Sequence, residues 1–244
     1  MDDVRCPIVE LRQYTLHDGK RDVLIDLFER EFIEPQEAAG MVVIGQFRDL
    51  DDPDRFVWLR GFQDMHHRAE ALGTFYGGPV WKANRDQANA TMVDSDNVLL
   101  LRPVNTRSGF PAMATARFPA GHTAVPPSLV VATLYHRDSP FDEAFVEFFD
   151  RCVRPLMTES GAEPLACLQT EHAENTFPAL PVRIGENVFV WFSRFADRAD
   201  FAGHLQHLAR SRAWGDHVQP QLSAMLADDP RRLRLAPTAR SLLR

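Results

Sequence analysis

The sequence predicts an α+β protein in which two ferredoxin-like β-α-β-β-α-β units are fused into one intrachain α/β barrel. Three observations lead there. First, VWLRGFQD (57–64) returns as VWFSRFAD (190–197), at an offset of 133 that also carries Leu72 to Leu205 and Trp81 to Trp214. The four tryptophans of the chain therefore form two matched pairs, and self-similarity at a fixed offset marks a repeated unit. Second, an upstream offset of 121 matches Tyr14 to Tyr135, Phe28 to Phe149 and Gly40 to Gly161. Third, strand-like and helix-like runs follow each other in the same order in both copies.

In the first copy VELRQYTL (9–16) is rich in β-formers and ends at the turn residues His17-Asp18-Gly19. Val23, Leu24, Leu27, Phe28 and Phe32 then keep helical spacing up to Gly40. MVVIGQFRD (41–49) and RFVWLRGF (55–62) read as strands about an Asp/Pro turn. Asp64 is a candidate N-cap, its carboxylate accepting a free helix-start N–H. The helix it starts should break at Gly77-Gly78-Pro79 and resume through Trp81 to about Met92, before a last strand NVLLLRPV (97–104).

The second copy repeats the pattern. LVVATLYH (129–136) is a strand, and Pro140 is expected to start a helix with Phe141, Phe145, Phe148 and Phe149 on one side. PLACLQTE (164–171) and VFVWFSRF (188–195) are strands, Asp197 caps a helix to about 227, and RLRLAPT (232–238) closes the sheet. The change of offset from 121 to 133 places a twelve-residue insertion in this copy, at AENTFPALPVRIGEN (173–187), where the first has the shorter DLDDPDR (49–55). The expected division is a unit at 1–105, a proline-rich linker at 106–127 and a second, diverged unit at 128–244. Phe110, Met113 and Phe118 of the linker are candidates to dock on a surface. A single β-α-β-β-α-β unit leaves one sheet face bare, and two in one chain can cover each other.

Composition narrows the function. Acidic residues number 34 and basic ones 27, a net charge of −7, so no nucleic-acid partner is expected, because phosphate binding needs a basic face. Cys6, Cys152 and Cys167 form neither an even disulfide framework nor a CxxC motif, which fits a reduced, cytoplasmic setting. The start MDDVRCPIVELRQY lacks the pattern of a signal peptide, and no apolar run is long enough to span a bilayer, so no membrane partner is expected.

The stretches VELRQYTL, VWLRGFQDM and ALGTFYGGPVWKANRDQANATMVDSDNVLLLRP resemble the NIPSNAP family, whose members belong to the dimeric α+β barrel superfamily. The resemblance covers about 8–104 well. It covers about 128–240 more weakly: the VWF…F and Trp214 positions persist, but GGPVW becomes SRAWGD. It implies the fold more than an activity. Related barrels include cofactor-free monooxygenases, isomerases, cyclases and haem-binding enzymes, and fold analogy alone does not choose among them.

Side-chain alternation supplies the candidate site. In strand 55–62 Phe56, Trp58, Arg60 and Phe62 share a face, and in the first strand so do Glu10, Arg12, Tyr14 and Leu16. The opposite faces are apolar and small. If the mixed face meets a cleft, Arg12 and Arg60 can hold an anion or a carbonyl oxygen through paired donors. Tyr14 would be an acid or hydrogen-bond donor, with Glu10, Trp58, Tyr76 and Trp81 around the ligand. Tyr135, Trp191, Arg194 and Trp214 are the counterparts or near neighbours in the second copy. The competing reading is an internal Glu10–Arg salt bridge, a boundary tyrosine and packed tryptophans. No metal site is expected: His66-His67 diverge on a helix, and the i, i+3 pair His204/His207 has no carboxylate repeating with it. His136, His172 and His204 are equal candidates for a haem ligand. GxSxG, Walker A and GxGxxG patterns are absent, so no cofactor is indicated. These features favour a cofactor-independent small-molecule enzyme or ligand-binding barrel of bacterial metabolism, acting on an aromatic or carbonyl-bearing compound and possible as a homo-oligomer. The alternatives are a non-catalytic binding or adaptor protein and a haem-binding barrel.

Overall fold

The computed structural model describes residues 6–111 and 116–244, so Met113 lies outside the described residues. The first half runs β1 (Ile8–Leu16), α1 (Arg21–Leu27), a π-helical turn (Phe28–Phe32), α2 (Ile33–Ala38), β2 (Val42–Asp49), β3 (Arg55–Phe62), α3 (Met65–Gly77), α4 (Pro79–Asn89), β4 (Met92–Asp94) and β5 (Val98–Pro103). The second runs β6 (Leu129–His136), α5 (Glu143–Phe148), a π-helical turn (Phe149–Val153), α6 (Arg154–Glu159), β7 (Ala166–Thr170), β8 (Val188–Phe195), α7 (Arg198–Arg210), a π-helical turn (Ala213–Val218), α8 (Gln219–Ala224) and β9 (Arg231–Pro237).

The strands close on themselves. Within the first half the order is β2-β3-β1-β5, and within the second it is β7-β8-β6-β9. Antiparallel pairing of β2 with β9 and of β5 with β7 joins the two, giving an eight-stranded antiparallel barrel. Short β4 lies outside this ring, added to the end of β1.

Alternation along the strands decides what fills the barrel. Val9 and Leu11 of β1, Val57 and Leu59 of β3, and Val130, Ala132, Val188, Val190 and Phe192 of the second half form one buried apolar cluster inside it. Phe110 plugs this cluster, its ring 5.0 Å from that of Phe192. Gly61 permits the closest approach: a Cβ there would stand 2.3 Å from Cys6 Sγ. The mixed faces point outward, under the helices, and build two further cores, one in each half.

The local signals explain the element ends. Asp64 and Asp197 are the N-caps of α3 and α7, accepting from His67 N and Asp200 N. Gly40 and Gly161, at φ 97° and 94°, turn the chain after α2 and α6 in the left-handed region that glycine favours. Gly78 separates α3 from α4, with Pro79 opening the latter. Three expectations need correction. Pro140 does not start α5: Asp142 caps it by accepting from Phe145 N, so the helix begins at Glu143. The final helical region is divided at Ser211 and continues through a π-helical turn. The strand β4 has no counterpart among the expected elements.

Candidate functional site

Each half carries a cleft between the outer sheet face and its helices, and the two clefts are filled differently. In the first half Glu10 and Arg12 of β1 pair across the sheet with Arg60 and Trp58 of β3. Glu10 is fully buried and receives three guanidinium hydrogen bonds, from Arg12 Nη1, Arg60 Nε and Arg68 Nε, each 2.7 Å long. Burial alone would raise the Glu10 pKa, but the charges of Arg60, Arg12 and Arg68 hold it well below the ordinary carboxylate range. Arg12 Nε donates to the Tyr14 hydroxyl at 2.8 Å. Arg60 Nη1 reaches Gln36 and Tyr76 at 3.3 and 3.4 Å. The cleft thus holds an ion cluster, packed by Trp58 and Phe62 against the guanidinium planes.

In the second half the matched positions are smaller. Thr133 stands opposite Trp191, as Arg12 stands opposite Trp58, and Val131 stands opposite Ser193, as Glu10 stands opposite Arg60. Phe201 takes the place of Arg68 at the offset of 133. With three charged side chains replaced by Val131, Thr133 and Ser193, a cavity of about 300 Å³ opens between β6, β8, β9 and the helices. Its walls include Tyr135, Trp191, Phe195 and Trp214, and its polar lining includes Thr133, Ser193, His204 and Arg232. Trp191 Nε1 donates to the Tyr135 hydroxyl at 3.0 Å, and burial pushes that hydroxyl above its usual range.

His204 of α7 has the clearest chemical character in this cavity. Its Nδ1 lies 2.9 Å from Ser160 Oγ. The Ser160 hydroxyl proton is directed at the backbone carbonyls of Leu156 and Met157, at 2.8 and 2.9 Å. Ser160 Oγ therefore accepts from Nδ1–H, which leaves the lone pair on Nε2. Burial lowers the His204 pKa, outweighing the Ser160 contact, so the neutral imidazole persists to lower pH. A neutral, buried imidazole with its Nε2 lone pair unprotonated can accept a proton from a bound ligand.

The structure thus divides the residues singled out from sequence. Glu10, Arg12, Tyr14, Trp58, Arg60 and Tyr76 gather in the first cleft, while Trp81 packs beside them against Phe32, Phe75 and Tyr76. Tyr135, Trp191 and Trp214 line the cavity. Arg194 stands apart, exposed and bound to the Arg244 carbonyl. Sequence reasoning missed Arg68, Ser193, Thr133 and Arg232. Arg68, four residues after the Asp64 cap, was the readable one, because the first turn of α3 must face β1 and β3. His204 turns inward while His207 is exposed, so the i, i+3 pair does not converge. Among the described residues no group of three or more His, Cys, Asp or Glu side chains is placed to hold a metal ion. No described helix is long and apolar enough to cross a membrane.

A closed α+β barrel with helices over its outer faces defines the class of protein. Residues 9–106 match the NIPSNAP family model. No curated protein matches the sequence. Among solved structures, a Fusobacterium nucleatum protein provisionally described as a monooxygenase is 11% identical, with a TM-score of 0.57 over 96% of this chain and 93% of its own. An anthrone oxidase-like protein is also 11% identical, with a TM-score of 0.54 over 95% of this chain and 91% of its own. A NIPSNAP family protein from Agrobacterium tumefaciens is 25% identical over 40% of this chain and 93% of its own, with a TM-score of 0.38.

Proposed function

We propose that the chain is a tandem of two NIPSNAP-like ferredoxin units, 1–105 and 128–244, in which the second cleft binds and transforms a planar aromatic ketone. The common strand order of the two halves supports the tandem reading, with 106–127 as the connection. The observation that carries the function is the aromatic cavity of about 300 Å³ with His204 in its wall. That size suits a small ligand, and the mix of aromatic walls with a few polar groups is typical of small-molecule sites.

His204 Nε2 removes a proton from an acidified C–H beside the ring system, and Arg232 offsets the charge that develops on the ketone oxygen. The resulting carbanion is itself a reductant for dioxygen. For a diaryl methylene, each turnover consumes a single dioxygen molecule and breaks both C–H bonds of the methylene carbon. One oxygen atom becomes the oxygen of a new ketone at that carbon. The other leaves as water, carrying both hydrogens, so the carbon is oxidised and dioxygen is reduced with no further reactant. The barrel neighbours support the substrate class by fold only; the residues come from the cavity.

The test is oxygen uptake and product mass with anthrone as the probe, for the wild-type chain and His204→Gln. A turnover that falls at least a hundredfold in the variant, with fluorescence-measured anthrone binding retained, supports the reading. Wild-type binding without turnover moves the chain to the ligand-binding class, and an absence of binding removes the reading altogether.

A further inference from the structure

We propose that the first cleft is a separate anion site, which takes the carboxylate of a small organic acid between Arg60 and Arg68 under a strap formed by 173–182. The charge count is the first reason. Arg12, Arg60 and Arg68 carry three positive charges, all at 1% exposure or less, and Glu10 is the carboxylate hydrogen-bonded to them. Arginine does not shed its proton to relieve this, so the cluster keeps an excess positive charge away from water. Such an excess is costly and attracts a counter-anion.

Geometry is the second reason. Among the described residues Arg60 Nη2, Arg68 Nη2 and Trp58 Nε1 are buried without a hydrogen-bond partner. In a planar guanidinium the Nε–H and one Nη2–H point the same way, forming the edge that grips a carboxylate. Arg60 and Arg68 both direct Nε at Glu10, one to each oxygen. Their Nη2 groups therefore lie on the Glu10 side of the cluster, two further buried donors that Glu10 leaves unbonded and a second carboxylate would satisfy.

The cover is the third. The segment between β7 and β8 crosses to the first half. Asn175 Oδ1 accepts from Arg68 Nη1 at 2.9 Å, Thr176 Oγ1 donates to the Met65 carbonyl at 2.9 Å, and Phe177 stacks on Tyr76 with ring centroids 6.2 Å apart. These are few contacts, mostly near the surface, against a cleft built of many buried ones. The strap is the element that yields to admit a ligand.

The experiment is thermal unfolding and calorimetric titration of the full chain with sodium formate and sodium acetate, against sodium chloride and sodium sulfate at equal ionic strength. A ligand that binds only the folded state raises its melting temperature. Saturable binding and a rise of several degrees with formate or acetate, absent with the other salts, is the expected result. Arg68→Gln should weaken it at least tenfold. Should that variant fail to fold, Phe177→Ala loosens the strap without touching Arg68 and should speed carboxylate association in stopped flow. Ser193→Arg, which fills the other cleft, should leave the binding intact. Equal responses to all four salts, full binding by Arg68→Gln, or loss of binding in Ser193→Arg would each overturn the proposal. The last two outcomes leave the anthrone test of the second cleft untouched.

Discussion

Arg60 and Ser193 hold corresponding registers in the two halves of the barrel, each two residues beyond a tryptophan on the outward face. The arginine helps fill its cleft with an ion cluster, and the serine, with Val131 and Thr133, leaves its own cleft open as a cavity. Ser193→Arg should therefore abolish ligand uptake in the second half. The added side chain enters a cavity of about 300 Å³ rather than a packed core, so the variant should still fold. Binding of anthrone, followed by fluorescence quenching, should fall by at least tenfold while the far-ultraviolet spectrum is unchanged.

His204 should make both activity and stability depend on pH. Burial lowers its folded pKa below the ordinary 6.5, while the unfolded chain protonates near that ordinary value. Between the two values the unfolded state binds more protons, so stability falls as pH drops from about 6.5 toward the folded pKa and then levels off. His136, half-buried and shifted the same way, adds to the fall. Urea midpoints at pH 7.5 and 5 should therefore differ, and His204→Gln should narrow the difference. Turnover should rise with pH through a value under 6.5 and be flat from 7 to 8, the profile of a base already deprotonated at neutrality.

Glu10 is the keystone of the first cleft, since it alone accepts from three buried arginines. Glu10→Gln leaves their charges facing one another. Removing one partner of a buried ion pair costs about 3–5 kcal/mol, and urea denaturation at pH 7 should show a loss of that order. The pH dependence follows the depressed folded pKa. The wild-type contribution is complete above the unfolded carboxyl value near 4.5 and is lost only as pH falls toward the lower folded value. Acid should thus narrow the gap between wild type and variant, and urea midpoints at pH 7 and pH 3 measure it.

Much of this arrangement was legible in the sequence, for physical reasons. The period of two in VELRQYTL and RFVWLRGF separated Val9, Leu11, Val57 and Leu59 from Glu10, Arg12, Trp58 and Arg60, and those sets do occupy opposite faces of the barrel wall. Alternation tells which residues share a face, but not how much space lies above it. That space depends on Arg68, Gln36 and Tyr76, which reach the sheet from helices distant in sequence. The π-helical turns at Phe28–Phe32 and Phe149–Val153 were also hidden, because their apolar spacing still satisfies a helical pattern. A connection at 173–187, between β7 and β8, was readable from its prolines and glycine. Its destination was not, since Phe177 meets Tyr76 across about a hundred residues of chain, and no local pattern encodes such a contact.

That contact gives the final prediction. Phe177, Leu180 and Val182 are the apolar residues with which the strap packs on the first half. Besides Phe177 the strap is tied to the first half by the Arg183 amide, which donates to the Val98 carbonyl at 2.9 Å, and by Asn175 Oδ1, which accepts from Arg68 Nη1 at 2.9 Å. Phe177→Ala removes the ring that rests on Tyr76 and leaves these polar ties to hold the segment. Local opening needs only the contacts of the strap itself to break, so it should become more frequent without weakening the barrel. Hydrogen exchange at the Arg183 amide should speed up at least tenfold, while amides in the barrel wall such as Leu59 and Val190 keep their protection. Equal acceleration at all three amides would instead show that the strap and barrel unfold together, and that the segment is part of the wall rather than a cover over it.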